Sequence, residues 1–343
     1  MRTQRSSFVP ALLDNLIWIL LLGTIIIFSA LTDRFLTADN ITNILVHSAV
    51  LGIMVIGQSF TLITGNFDLS AESNLGLIAV FGAYLMAAAG EPSNGSGLML
   101  HPALTIPLMF GMGLLIGAIN GFLITRLKMN NFIVTLSMLI IVRGLAFLLT
   151  QGKTVTNLPE SFKALGQQSW GPVPISVVVM LLAFVLAYVV TRYTRFGRDL
   201  YAVGGNRDAA LASGIDPERR IRQVYLISGL MAAFAAWMEV GRLGVGATRI
   251  GEGMIFEIQA AAVIGGISLF GGRGTMIGAL GGVLLLSSIN AGLNLMRVSG
   301  FAIDMVRGII ILLAMLIDAQ KTRYKGPAVL SVRIAGLVRR STE

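Results

Sequence analysis

The sequence predicts an all-α polytopic membrane protein of about ten transmembrane helices, and three observations carry that class. Of its 343 residues, 55% are hydrophobic and only 13% charged, where soluble domains hold roughly 45–50% apolar and about 25% charged residues. Apolar runs recur at spanning length, roughly 17–25 residues. Those runs, "LIWILLLGTIIIFSAL" among them, do not alternate, whereas a membrane barrel alternates polar and apolar residues in segments of roughly ten.

The first run, 16–31, follows "MRTQRSSFVPALLDN" and precedes no convincing small-residue cleavage site, so it is expected to be a retained span rather than a signal peptide. Further spans are expected over 44–65, 72–90, 103–125, 131–150, 173–192, 219–238, 257–270, 275–294 and 302–318. The eighth is short and Gly-rich, as a re-entrant segment or one partly buried in protein would be. "GISLFGGRG" after it superficially resembles a phosphate loop, but Gly272-Arg273 stand where Lys-Ser/Thr is required. It reads as a tight turn between spans eight and nine.

Charge orients these spans. The net charge of +9 fits topology-setting residues beside anionic membrane lipid, not nucleic acid. With both ends inside, 18 Lys and Arg lie on the inner side and 6 on the outer. The inner set includes a basic tail over 319–343 and seven residues between Arg192 and Arg222. There is no cysteine, hence no disulfide framework and no thiolate chemistry. His47 and His101 are isolated, no metal-ligand spacing occurs, and no nucleophile–base pair suggests catalysis. The chain reads as one membrane domain over 1–343, not an enzyme by itself.

A weak internal repeat is visible. "IIVRGLAFLL" resembles "DMVRGIIILL", setting Arg143 against Arg307, and "AINGFL" resembles "SINAGL", setting Asn120 against Asn290. Elements five spans apart run oppositely across the membrane. Spans 2–5 and 7–10 therefore read as an inverted-topology repeat, an arrangement typical of transport folds.

One polar insert interrupts this oily chain, the inner loop 193–218. Asn206 is a good helix N-cap and Asp208 suits the first turn. Gly214 can end the helix in the left-handed conformation. Asp216-Pro217 starts the next one. The insert thus encodes a two-turn helix, too short to stand alone in water. Leu211 and Ile215, four apart, offer it a narrow apolar face. It either folds back on its own protein or docks a cytoplasmic partner.

Other polar groups are singled out by depth. "GNFDLSAES" puts Asn66, Asp68, Ser70 and Glu72 between two apolar spans. Asp68 or Ser70 can cap the third span, and the same groups can line the inner end of a solute route. Asn120, Asn290 and Asn294, in spans four and nine, can bond neighbouring helices or a solute. Arg143 and Arg307 are expected to pair with carboxylates or helix C-terminal carbonyls, and Phe67 and Trp237 to pack.

Asp208-Ala209-Ala210-Leu211-Ala212-Ser213-Gly214 resembles the acidic-Ala-Ala-x-x-x-Gly coupling-helix motif of ABC importer permeases. "GRDLYAVGGNRDAALASGI" more closely resembles the same loop of ribose/monosaccharide-type permeases. "GNFDLSAES" (65–73), "KMNNFIVTLSMLIIVRGLA" (128–146), "FEIQAAAVIGGISLFGGRGTMIG" (256–278) and "NAGLNLMRVSGF" (290–301) are similar to further blocks of that family, in order. The sequence departs from its pattern at Asn66-Phe67, Glu72 and Gln259. The resemblance implies a monosaccharide importer of the bacterial inner membrane, most simply for a pentose such as ribose. It implies a second permease copy or homologue, two ABC ATPase subunits that bind the ATP and Mg, and an extracytoplasmic sugar-binding protein. This chain itself would hold no cofactor. Asn206, Asp208, Ala209, Ala210, Leu211 and Gly214 would couple to the ATPase, while Asn66, Asp68, Ser70, Asn120, Asn290 and Asn294 are candidates for the pathway. Related permeases for nucleosides, furanone signals or branched-chain amino acids remain alternatives, as does an ion-coupled secondary carrier.

Overall fold

The computed structural model describes residues 16–309, 312 and 316. The N-terminal stretch carrying Arg2 and Arg5 and the basic tail over 319–343 lie outside the described residues. In chain order come α1 (Leu16–Leu31), α2 (Ala38–Ile63), α3 (Ala71–Met86), α4 (Pro102–Thr125), α5 (Asn131–Thr150) and the short α6 (Glu160–Gln167). A two-residue hairpin follows, with β1 (Ser169–Trp170) antiparallel to β2 (Val173–Pro174). Then come α7 (Ile175–Tyr193), α8 (Arg195–Gly205), α9 (Arg207–Ala212), α10 (Pro217–Leu243), α11 (Met254–Ile264) and α12 (Met276–Leu295). Residues 300–309 are helical, here α13, where the tenth span is expected.

Six of these helices, α2, α4, α5, α7, α10 and α12, are long and apolar enough to cross a membrane, while α1, α3 and α11 are apolar but shorter. Two expectations need correcting. The second span starts at Ala38, capped by Thr37, six residues before the first apolar run suggests. The third stops at Met86, because "AAAGEP" leaves the helix for a turn. The eighth is indeed short: eleven residues span about 16 Å, against roughly 30 Å of bilayer core.

Burial explains why α2 and α10 organise the rest. Every residue of 48–63 is buried, and α10 packs on α4, α2 and α3. A helix apolar on all sides belongs inside a protein or a bilayer. The outer helices take the second option. α4, α5 and α7 turn Leu115, Ile140, Leu148, Leu182 and Leu186 outward. The α4–α10 crossing is close because Gly113 faces Gly229 backbone to backbone, and a Cβ on either would collide with the other's carbonyl. Small residues permit such approaches where lipid removes the hydrophobic drive between helices.

Gly229→Val should therefore abolish folding, read as loss of monodisperse protein in detergent. Gly144→Ala, on an α5 position with open space around it, should leave the melting temperature unchanged or raise it, since Ala favours helix by about 1 kcal/mol. Comparable behaviour of the two variants would show that the crossing is not the tight point.

Candidate functional site

Between α2 and α3 the chain leaves the helix over 64–70, and its polar groups are satisfied from three sides. Asp68, 1% exposed, accepts from the Ser70 amide (3.1 Å), the Ser70 hydroxyl (2.6 Å) and the Ser228 hydroxyl on α10 (2.6 Å). Tyr225 of α10 donates to the Phe67 carbonyl at 2.6 Å. The Asn120 amide on α4 donates to the Ser70 hydroxyl at 2.9 Å. Asn131, opening α5, donates to Asn66 at 3.1 Å. Buried polar groups need such partners, and here they pin an unwound segment to three helices. Neither Asp68 nor Ser70 caps α3 as expected: Ser70 occupies the N-cap position, but its side chain makes no cap bond.

A second break, 244–253, precedes α11 and runs beside α3. Arg143 of α5 donates to the carbonyls of Thr248 (2.8 Å) and Ile250 (3.0 Å) and lies 3.6 Å from Glu72. Glu72 in turn accepts from the Ile255 amide at 3.0 Å, at the N-terminus of α11, where a carboxylate suits the helix dipole. Asn120, bonded to Ser70, lies five residues short of the α4 end nearest α9, and Gly76 six residues into α3 touches Ile250. At about 1.5 Å per residue, Ile250 sits roughly 16 Å along an α4 about 36 Å long. The second break comes down beside α3 until Gly251 faces the carbonyl of Glu72, two residues past the end of the first. At this level Arg249 and Glu252 pair at 3.7 Å with side chains 78% and 59% exposed.

Two polar cavities flank this junction. One, of about 570 Å³, lies at the end opposite α9 among Asn40, Asn43 and His47 of α2, Glu239 of α10, Glu257 of α11, Asn290 and Asn294 of α12, and Arg307 of α13. Arg307 pairs with Glu257 at 2.6 Å and Asp304 at 2.8 Å, and donates to Asn290 at 3.2 Å. The other, of about 600 Å³, opens at the α9 end between Asn66, Lys128, Asn130, Asn131, Arg207, Asp208 and Glu218.

The α9 end is built by caps. Thr194 caps α8, accepting from the Gly197 amide. Asn206 caps α9, accepting from the Ala209 amide at 2.9 Å. Gly214, at φ +81°, turns the chain so that the Ile215 amide reaches the Ala210 carbonyl at 3.0 Å. Asp216 then caps α10, with Pro217 in its first turn. Ala210 packs inward with Val203, Ile221 and Tyr225, and Ile215 joins them. Leu211 does not share their face as expected and is 61% exposed, beside exposed Asp208, Ala209 and Ala212. α8 is itself anchored. Tyr201 donates to the Gly274 carbonyl at 2.9 Å, and burial raises its phenol above the ordinary value, keeping it a donor.

Residues 40–315 match the family described as branched-chain amino acid transport system / permease component. The chain belongs to this permease family. It is 38% identical to the ribose import permease protein RbsC of Bacillus subtilis, covering 87% of this chain and 90% of that one. It is 34% identical to the Escherichia coli K12 ribose import permease protein RbsC (92% and 97% covered). It is 32% identical to the galactose/methyl galactoside import permease protein MglC of the same strain (94% and 98% covered). No solved structure matches the permease.

The permease thus separates its six pathway candidates. Asp68, Ser70 and Asn120 meet in one buried network, Asn66 instead bonds Thr64 and Asn131 and lines the α9-end cavity, and Asn290 and Asn294 line the opposite one. Arg143 and Arg307 pair with carboxylates as expected. Sequence reading missed Glu257 as the partner of Arg307 and Glu72 as a cap for α11. The lone carboxylates within apolar runs were the available signal, but their partners lie far away in sequence.

Arg143→Met strands Glu72 and frees two carbonyls, and should cost about 3–5 kcal/mol, as expected for breaking a buried pair, read as a large fall in melting temperature in detergent. The double variant Glu72→Gln/Arg143→Met should melt above Arg143→Met alone. Equal melting would mean the carboxylate is not what Arg143 neutralises.

Proposed function

We propose that this permease is the membrane-spanning subunit of an ATP-driven importer of a monosaccharide, a pentose such as ribose, in a bacterial inner membrane. The carrying observation is α9. A six-residue helix is unstable alone, yet this one is capped at its start, closed by Gly214 and braced through Ala210. It presents Leu211 and Asp208 outward, with no described neighbour covering Leu211. That is the form of a docking stub for a cytoplasmic partner. In this reading ATP and Mg are bound by separate ABC ATPase subunits. The loop 193–218, with Asn206, Asp208, Ala209, Ala210, Leu211 and Gly214, receives their motion.

The cargo assignment draws on the names of the ribose and galactose relatives and on the chemistry of the larger polar cavities. Their walls carry amides and paired charges, which suit a neutral polyhydroxylated solute. An extracytoplasmic sugar-binding protein would deliver the solute.

A second permease copy is supported by Arg249 and Glu252. Exposed charges at mid-depth cannot face lipid cheaply, so this side of the chain meets a partner subunit or a wet route between two copies. Ten crossings with both ends inside, and an inverted repeat of spans 2–5 against 7–10, complete the reading. Its support is that each half carries a break, then a short helix with a first-turn carboxylate (Glu72, Glu257) paired to an arginine (Arg143, Arg307).

The test is uptake of labelled ribose and galactose by vesicles holding the permease, its ATPase and its binding protein. Uptake by the permease alone, without ATP, would overturn the reading in favour of an ion-coupled carrier. Deleting Asp208 to Gly214 should leave the chain inserted but separate hydrolysis from transport, cutting ATP-dependent uptake to background. Normal uptake in that deletant would remove α9 from the mechanism.

A further inference from the structure

The two glutamate–arginine pairs have the same composition but different surroundings. Glu72 and Arg143 are sealed. Glu72 accepts the Ile255 amide while Arg143 holds two carbonyls of the second break. Only Arg143 Nη2, buried 3.6 Å from Glu72, makes no hydrogen bond there. Glu257 and Arg307 instead face the cavity of about 570 Å³, within the roughly 300–1,000 Å³ of small-molecule sites. Among the described residues no hydrogen bond engages the side chains of Asn43, His47 or Asn294, which share that cavity with them.

This wall has a defined chemical preference. Arg307 is shared between Glu257 and Asp304, and Glu239 on the same wall is paired with Arg242, so among the described residues the wall offers no unpaired cation to an anionic solute. Carboxylate, guanidinium and amide groups each present two polar atoms in one plane, a spacing that matches adjacent hydroxyls on a sugar ring. Acceptors at Glu257, donors at Arg307 and both kinds at Asn290 and Asn294 serve a solute whose every hydroxyl both donates and accepts. The three nitrogens of Arg307 meet Asn290, Asp304 and Glu257, which fixes the guanidinium where it lines the cavity.

We propose that Glu257 and Arg307, with Asn290 and Asn294, form a sugar-contacting site within the permease itself, selecting neutral polyols at the end opposite α9. This rests on the monosaccharide reading above.

The absence of cysteine permits a direct test. In the assembled transporter, Ala291→Cys, on the cavity wall, is labelled with a membrane-impermeant maleimide with and without D-ribose or D-galactose. Lys153→Cys, on an exposed loop, serves as control. Sugar should slow labelling at position 291 about threefold or more and leave position 153 unchanged. Adding Glu257→Gln should abolish that protection. Arg307→Lys keeps the charge but not the planar fork. It should hold the melting temperature yet lose protection, which a merely structural arginine would not do. Uptake by the unsubstituted transporter with no protection at 291 would overturn the site alone. So would protection that persists with both Glu257→Gln and Arg307→Lys. If the unsubstituted transporter takes up neither sugar, the monosaccharide reading falls and the site with it.

Discussion

Backbone that leaves the helix at membrane depth must find its hydrogen bonds inside the protein, and the rest of this structure is arranged around that constraint. Two breaks, 64–70 and 244–253, penetrate from opposite ends. Each is held by side chains from helices that do not contain it. Tyr225, Ser228, Asn120 and Asn131 serve the first, and Arg143 serves the second. Glu72 joins them, since it begins the helix after one break and caps the helix after the other. Removing Tyr225 or Arg143 leaves backbone carbonyls of a break without their side-chain partner, a costly loss where burial excludes water.

The same breaks set how motion at the α9 end can travel. Gly204 of α8 lies against the carbonyl of Ile63, where α2 ends, so closely that no Cβ fits. The Gly272 amide donates to that same carbonyl at 2.9 Å, and Tyr201 holds Gly274 two residues on. Three backbones therefore meet at one point: the end of α2, the α8 helix and the turn before α12. Close-packed backbone does not deform continuously. A displacement of α8 moves the first break and the foot of α12 together, and α12 carries Asn290 and Asn294 at its far end.

Much of this was legible because it is written locally. Apolar runs gave the long helices, and Asn206, Gly214 and Asp216-Pro217 gave the bounds of α9 to within a residue. Positive φ at Gly266, Gly271, Gly272 and Gly274 is the tight turn that "GISLFGGRG" suggested. What local pattern cannot carry was missed. α8 is polar on one face and lies beside the membrane segments rather than in one, so hydropathy passes over it. The orientation of Leu211 depends on where Val203 and Ile221 arrive from elsewhere in the fold. The pairing of Glu257 with Arg307 closes a gap of fifty residues, and no spacing rule links them. For the same reason the six candidate asparagine, aspartate and serine positions looked alike in sequence, though the fold buries some and opens others.

Polarity in this chain therefore divides by what the surrounding helices leave unsatisfied. The Asp68 carboxylate is engaged by Ser70 and Ser228, and Tyr225 holds the Phe67 carbonyl, so although the buried Asn120 Oδ1 lacks a partner among the described residues, a solute could reach Asp68 only by breaking bonds that hold the first break in place. The Glu72–Arg143 pair is likewise spent on backbone, Glu72 on the Ile255 amide and Arg143 Nη1 on two carbonyls. The cavity beyond α11 differs, because Asn43, His47 and Asn294 keep donors and acceptors unused among the described residues while Arg307 is already shared between Glu257 and Asp304. A solute rich in hydroxyls gains hydrogen bonds there without displacing structural ones, and that difference, rather than polarity itself, separates a route from a brace.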